Sequence, residues 1–274
     1  MRRDLAFGLQ LAFTLLVSAF LILPIGLSIL TGFTANFIRG PLDGLTLRWV
    51  LEVWSRYGDT ILLSLGLAVA CLVVDLLVGV PAAYVLAKRR NWLTRIFEEM
   101  IVLPVAVPGL ATALALVLLY GRFGEFRTSW LFLLIGHVLY TLPFMVRAVL
   151  AVLSSIDLKL LEEGAASLGA GCWTRLRTVV LPNITSGVLA GALTVLTLSI
   201  GEFNVTLLLS TPTTQTMPVG LAVAYTNARI ELGSAYTILF FVMIVPLLIA
   251  MQAWGDPTRV AARRKPTLKD TEEA

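Results

Sequence analysis

Long apolar runs separated by short polar ones dominate this chain. Runs near 5–33, 60–86, 99–120, 129–152, 181–209 and 234–255 are each long and greasy, and a bilayer core of roughly 30 Å takes about 20 such residues per helix. The pattern predicts six membrane-spanning helices. The fifth is the least uniform, because Glu202 and Asn204 stand near its end. The first is too long for a signal-peptide core and no small-residue cleavage site follows it, so it reads as an anchor. Alternating segments of about ten residues, the mark of a membrane β-barrel, are absent. The expected fold is an all-α membrane protein, a bundle of six transmembrane helices.

Composition agrees with the pattern. Hydrophobic residues fill 58% of 274 positions and charged residues 14%, where a soluble domain carries about a quarter charged. Charge also orients the spans, since Lys and Arg collect on the cytoplasmic side. Fifteen of the 21 basic residues fall on one side: Arg2 and Arg3, the 88–95 turn, Arg147 to Arg177, and the tail from Arg259. Arg39, Arg48, Arg56, Arg122, Arg127 and Arg229 fall on the other. Both termini and the polar segment 161–182 are therefore expected in the cytoplasm. The net charge of +4 follows from this topology and gives no reason to expect nucleic acid. Cys71 and Cys172 lack any metal-like spacing and suggest neither a disulfide nor a metal.

Within that frame, the outer loop 34–59 carries Trp49, Trp54 and Tyr57 beside Arg48, Glu52 and Arg56, a mix suited to a helix at the membrane interface. The Lys88-Arg89-Arg90-Asn91 turn reads as a topology determinant, with a secondary capacity for lipid contact. Prolines at 104, 108 and 143 predict kinks. The segment 256–274 is charged and reads as a disordered cytoplasmic tail. The halves show no internal repeat, and six spans are few for a complete alternating-access carrier. A dimer, with itself or with a similar subunit, is the natural inference.

Candidate chemistry is sparse. No Gly-x4-Gly-Lys-Ser/Thr loop occurs, so the chain is not expected to bind ATP, and no cofactor, catalytic group or metal set is indicated. His137 stands alone in the fourth span and reads as a helix-to-helix hydrogen bonder. Ionisable residues inside a membrane are costly and warrant a functional hypothesis. Asp75, Glu202 and Asn204 are the candidates for a solute path, one that would favour a cation. Glu98 and Glu99 read as a solvated pair.

The polar break at 161–182 is more specific. Asp157 can cap a helix from Leu158 to about Leu168, Gly169-Ala170-Gly171 can turn the chain, and a second short helix at 172–180 leads to Pro182. Glu162 and Glu163 stand beside Gly164, Ala165 and Ala166, small residues that let another surface approach closely. The reading is a docking hairpin lying along the membrane.

These residues resemble a known family. Glu163-Gly164-Ala165, then Gly169, Val179 and Leu181-Pro182, match in spacing the EAA motif of binding-protein-dependent ABC transporter permeases. Gly164 replaces the usual alanine and Val179 the usual isoleucine. The resemblance covers roughly 60–255 and implies the type I importer fold. It also implies that Glu162, Glu163, Gly164, Ala165, Ala166, Gly169, Leu181 and Pro182 couple to a separate ABC ATPase subunit, with Glu163 meeting a basic residue there. A solute-binding protein outside the cytoplasm would deliver the solute, and the chain would lie in the inner membrane of a prokaryote, among lipid, as a non-enzymatic transport subunit.

On this reading the chain divides into a first helix and outer loop at 1–58, a permease domain at 59–255 with its coupling loop at 154–180, and the tail. The Thr216-Met217-Pro218-Val219-Gly220 stretch resembles importers of polyamines, iron, sulfate and phosphonates. The sequence leans to spermidine or putrescine, with sulfate, iron or a phosphonate as alternatives. An ion-coupled secondary transporter is the competing class.

Overall fold

A computed structural model describes residues 2–89 and 91–255; Arg90 and the 256–274 tail lie outside the described residues. In chain order the helices are α1 (Arg2–Gly32), α2 (Arg48–Lys88), α3 (Trp92–Ala106), α4 (Gly109–Tyr120), α5 (Gly124–Thr128) and α6 (Trp130–Ser155). They continue as α7 (Leu158–Ser167), α8 (Cys172–Arg175), α9 (Leu181–Gly201), α10 (Asn204–Leu209), α11 (Met217–Thr226) and α12 (Ile230–Gly255). Among the described residues no strand forms beyond one bridge, between Thr34 and Leu45.

Five helical stretches are long and apolar enough to cross a membrane, and the bent pair α3–α4 makes a sixth if taken as one span. The bend differs from a simple kink. Pro104 sits inside α3, whereas the chain breaks at Val107-Pro108 and turns by 99°. A residue before proline is pushed to extended backbone, and Val107 has φ −86°, ψ 134°. The break therefore belongs to the second proline. The start of α3 is fixed by Asn91, whose side chain accepts from the Thr94 N–H while the Thr94 hydroxyl accepts from the Asn91 N–H. This reciprocal cap starts α3 at Trp92, seven residues before the expected 99.

The expected fifth span, 181–209, is also corrected. α9 ends at Gly201, the chain extends at Glu202, and a separate short helix, α10, begins at Asn204. The Glu202 carboxylate accepts from the Val205 and Thr206 N–H groups, which restarts the helix on a side-chain cap. At the other end α9 is continuous with α8 through a π turn at Leu176–Val180, so Pro182 opens no new helix.

The described residues form two compact units. One comprises the chain to Leu62 with Thr216–Met243. Its core holds Val53, Ile61, Met217, Leu232 and Tyr236. Arg229 pairs with Glu52 at 2.6 Å, and α2 is locally non-helical at Tyr57, where the aromatic outer segment gives way to the apolar run. The apolar stretch of α1 is largely exposed.

The other unit runs from Leu63 to Gln215 and resumes at Ile244. Its centre is α6 against α9. A Cβ on Gly187 would lie 2.8 Å from the Ala148 carbonyl oxygen, and one on Gly191 would lie 2.7 Å from the Met145 sulfur. Small residues of this kind let membrane helices approach closely. The core around them gathers Val146, Val149, Ile184 and Val195.

Candidate functional site

The segment after α6 folds as a helical hairpin. The Asp157 carboxylate accepts from the Leu160 N–H at 3.1 Å, supplying one of the acceptors a helix start lacks. At the other end Ala170 N–H donates to the Ala165 carbonyl and Gly169 N–H to the Ala166 carbonyl. This is the paired C-terminal closure that needs a left-handed residue, and Gly169 has φ +80°. Glycine is required there because a Cβ is strained in that conformation. The ends of α7 and the start at Cys172 match those read from the sequence to within a residue, whereas the expected end at 180 is absent because the helix runs on into α9.

Past the turn, Leu181 N–H donates to the Leu176 carbonyl, five residues back. Proline clashes with the carbonyl four residues before it and offers no N–H. The wider π turn ahead of Pro182 takes up that misfit, and the Asn183 side-chain amide donates to the Val179 carbonyl at 2.7 Å. Leu181 and Pro182 thus join the hairpin to α9 as one rod.

The two adjacent carboxylates point opposite ways. Glu162 is 6% exposed; it accepts from the Tyr84 hydroxyl and from Lys88 Nζ at 2.7 Å, both near the end of α2. Burial alone would push its carboxyl up, but the hydrogen bonds from Lys88 and Tyr84, with the charges of Lys88 and Arg175, hold it below its ordinary value. Its place in the expected docking set is therefore revised: its carboxylate is spent inside the chain. Glu163 is 65% exposed and stands 3.7 Å from Lys159. Gly164 and Ala166 are exposed and Ala165 is half-buried; a Cβ on Gly164 would meet nothing within 4 Å. A cavity of about 380 Å³ lies between the α2 end and the hairpin, lined in part by Lys88, Lys159, Glu163 and Arg175.

The hairpin also presents large apolar groups that the sequence reading passed over. Leu160, Leu168 and Trp173 are well exposed. Exposed aromatic and aliphatic groups beside a polar rim are what protein interfaces bury. The signal was there, since Leu168 and Trp173 flank a glycine turn in a polar segment.

The intramembrane candidates do not meet on one path. Asp75 is 0% exposed and accepts from the Thr141 hydroxyl at 2.7 Å. His137 joins helices, as its isolation suggested: Nδ1 pairs with the Ser199 hydroxyl and Nε2 with the Thr206 hydroxyl, each at 2.8 Å. Thr206 in turn donates to Glu202 at 3.2 Å. Glu202, capping α10, and Asp75, facing Thr141, are both buried among this chain's own atoms, and Asp75 Oδ1 has no hydrogen-bond partner among the described residues. Only Asn204 is exposed. Among the described residues no cluster of three or more His, Cys, Asp or Glu residues is arranged to hold a metal.

Residues 75–257 match the family described as "Binding-protein-dependent transport system inner membrane component". The chain belongs to that family. The permease is 28% identical over 207 residues to the molybdenum transport system permease protein ModB of Haemophilus influenzae, covering 70% of this chain and 90% of that one. It is also 28% identical over 229 residues to a putative 2-aminoethylphosphonate transport system permease protein, PhnV, of Salmonella typhimurium, covering 81% and 80%. Its fold is similar to a chain in the crystal structure of a bacterial ABC transporter involved in the import of the acidic polysaccharide alginate, with TM-score 0.69 at 19% identity, covering 92% and 96%. The permease is thus a multi-pass integral protein of the inner membrane, of the binding-protein-dependent ABC importer kind.

Proposed function

We propose that this permease forms one half of the membrane path of an ATP-driven importer, and that its α7–α8 hairpin docks on a separate ABC ATPase. One observation carries the reading: adjacent carboxylates are divided, Glu162 tied inward to Lys88 and Tyr84 and Glu163 left outward. The inward tie joins hairpin to span, and the outward charge is free to meet a basic partner. The distribution of Lys and Arg supports cytoplasmic termini and a cytoplasmic hairpin. The division into 1–58, a permease domain at 59–255 and a tail is kept in the same sense. A second permease subunit completes the path, and a binding protein on the other face supplies the solute.

The solute is a small oxyanion. The names of the two relatives, concerned with molybdenum and 2-aminoethylphosphonate, support this class, and the polyamine lean finds no support in them. Of the residues first considered for the path, Asn204 alone remains a candidate to line it.

Co-purification tests the docking role. Glu163→Lys is expected to leave the permease in the membrane while abolishing recovery of the ATPase and uptake. Normal recovery and uptake overturn the docking reading. Binding of molybdate, sulfate, 2-aminoethylphosphonate and spermidine to the cognate binding protein tests the solute; capture of spermidine alone overturns the oxyanion class.

A further inference from the structure

A second cavity, of about 480 Å³, opens where the start of α3 meets the last turns of α6. Two arginines, Arg95 of α3 and Arg147 of α6, line it from different helices, and Glu98 stands with them. Among the described residues none of the three makes an ion pair. Leu86, from the end of α2, and Leu150 form its apolar wall. Arg95, Glu98 and Arg147 are all exposed, so an anion entering the cavity can reach both cations.

We propose that this cavity binds a phosphate-class oxyanion. Guanidinium groups recognise such oxyanions through paired N–H donors, and basic pockets between membrane helices on the cytoplasmic side take anionic lipid headgroups. Two arginines set against Glu98 leave one net positive charge, which suits the single negative charge of a phosphodiester. The apolar wall suits what such a headgroup carries behind it. Position agrees as well. The cavity sits next to the basic, Trp92-bearing turn between α2 and α3, and its Ser154 is three residues before Asp157, the cap of the hairpin. An anion held here clasps α3 to α6 beside the coupling element. The two sources of this chemistry are a phospholipid headgroup and a free oxyanion.

The test uses the full permease purified with its ATPase, stripped of lipid and offered phosphatidylglycerol, phosphatidylcholine or inorganic phosphate. Retained lipid is read by mass spectrometry, and the phosphate effect by thermal unfolding. Each basic residue near an anionic lipid strengthens binding roughly five-fold, so Arg95→Gln with Arg147→Gln is expected to weaken phosphatidylglycerol retention roughly 25-fold and leave phosphatidylcholine unchanged. Preference for phosphatidylglycerol lost in the double variant assigns the site to the headgroup. A phosphate-dependent stabilisation lost in the double variant, without lipid preference, assigns it to a free oxyanion. Retention and stabilisation that ignore both arginines overturn the proposal. Where the double variant does not fold, Glu98→Gln serves instead: it adds a net positive charge and is expected to tighten the anion several-fold, and no change overturns the site.

Discussion

Lys88 Nζ stands 2.7 Å from Glu162 Oε2, so the last residue of α2 grips the hairpin that follows α6 across 74 positions of sequence. The grip lies on the membrane side of the hairpin, back to back with exposed Glu163. Motion delivered to one face of α7 therefore has a direct handle on the end of α2.

Glu162→Gln is expected to loosen that handle without unfolding the protein. Lys88 is 42% exposed, so the pair is worth no more than about 1 kcal/mol. Thermal unfolding in detergent should fall by a few degrees, while uptake per ATP hydrolysed falls further if, as proposed, the ATPase docks through Glu163. Exchange of the two charges, Lys88→Glu with Glu162→Lys, should recover part of the uptake lost in each single variant. Uptake and coupling ratio unchanged in Glu162→Gln exclude this role.

The same pair predicts a pH dependence of fixed sign. Glu162 is held below its ordinary value, so its contribution is complete above the unfolded carboxylate pKa of about 4.3. It is lost as pH falls through the lower folded value. The stability gap between the wild type and Glu162→Gln should stay constant from neutral pH down to about pH 5 and close only in stronger acid. A gap that closes near neutrality contradicts the assignment.

At the α6–α9 contact, Gly187→Ala is expected to destabilise by about 1–3 kcal/mol, as an added methyl in a packed interior does. Its Cβ would lie 2.8 Å from both the Ala148 carbonyl oxygen and Val152 Cγ2, and a backbone atom cannot swing aside. Thermal unfolding of the purified permease measures the loss.

Gly164→Ala is expected to act in the opposite direction. The position is inside α7 with open surroundings, and glycine in a helix costs about 0.5–1 kcal/mol relative to alanine. Amide exchange across 161–168 should slow roughly two- to five-fold, since glycine's backbone freedom no longer opposes the helix.

What the sequence made legible is local. Asp157, Gly169 and the apolar runs announce the hairpin and the spans through caps, turns and periodicity, which act over a few residues. Tyr84, Lys88 and Glu162 are each unremarkable in sequence, and only packing of α7 against the end of α2 makes them one unit. Glu202 misled for a related reason. Averaged hydropathy carries the fifth span across it, because hydropathy does not register that one carboxylate can satisfy two amides and restart a helix at Asn204. The two solute-path carboxylates show the same gap: an acid in a membrane span invites a ligand, while Thr141 for one Asp75 oxygen and the Val205–Thr206 backbone for Glu202 are partners that only the fold reveals.

The π turn at Leu176–Val180 gives the rod from Cys172 to Gly201 an adjustable phase. Such a turn holds one residue more than an α turn. If it migrates along the helix, each residue it passes changes its facing by about 100° and its height by about 1.5 Å, with no hydrogen-bonded turn dismantled overall. On the proposed docking role, a push on the hairpin can thus be converted to rotation before it reaches the glycine face at Gly187 and Gly191, whose tight fit against α6 would register even a small twist.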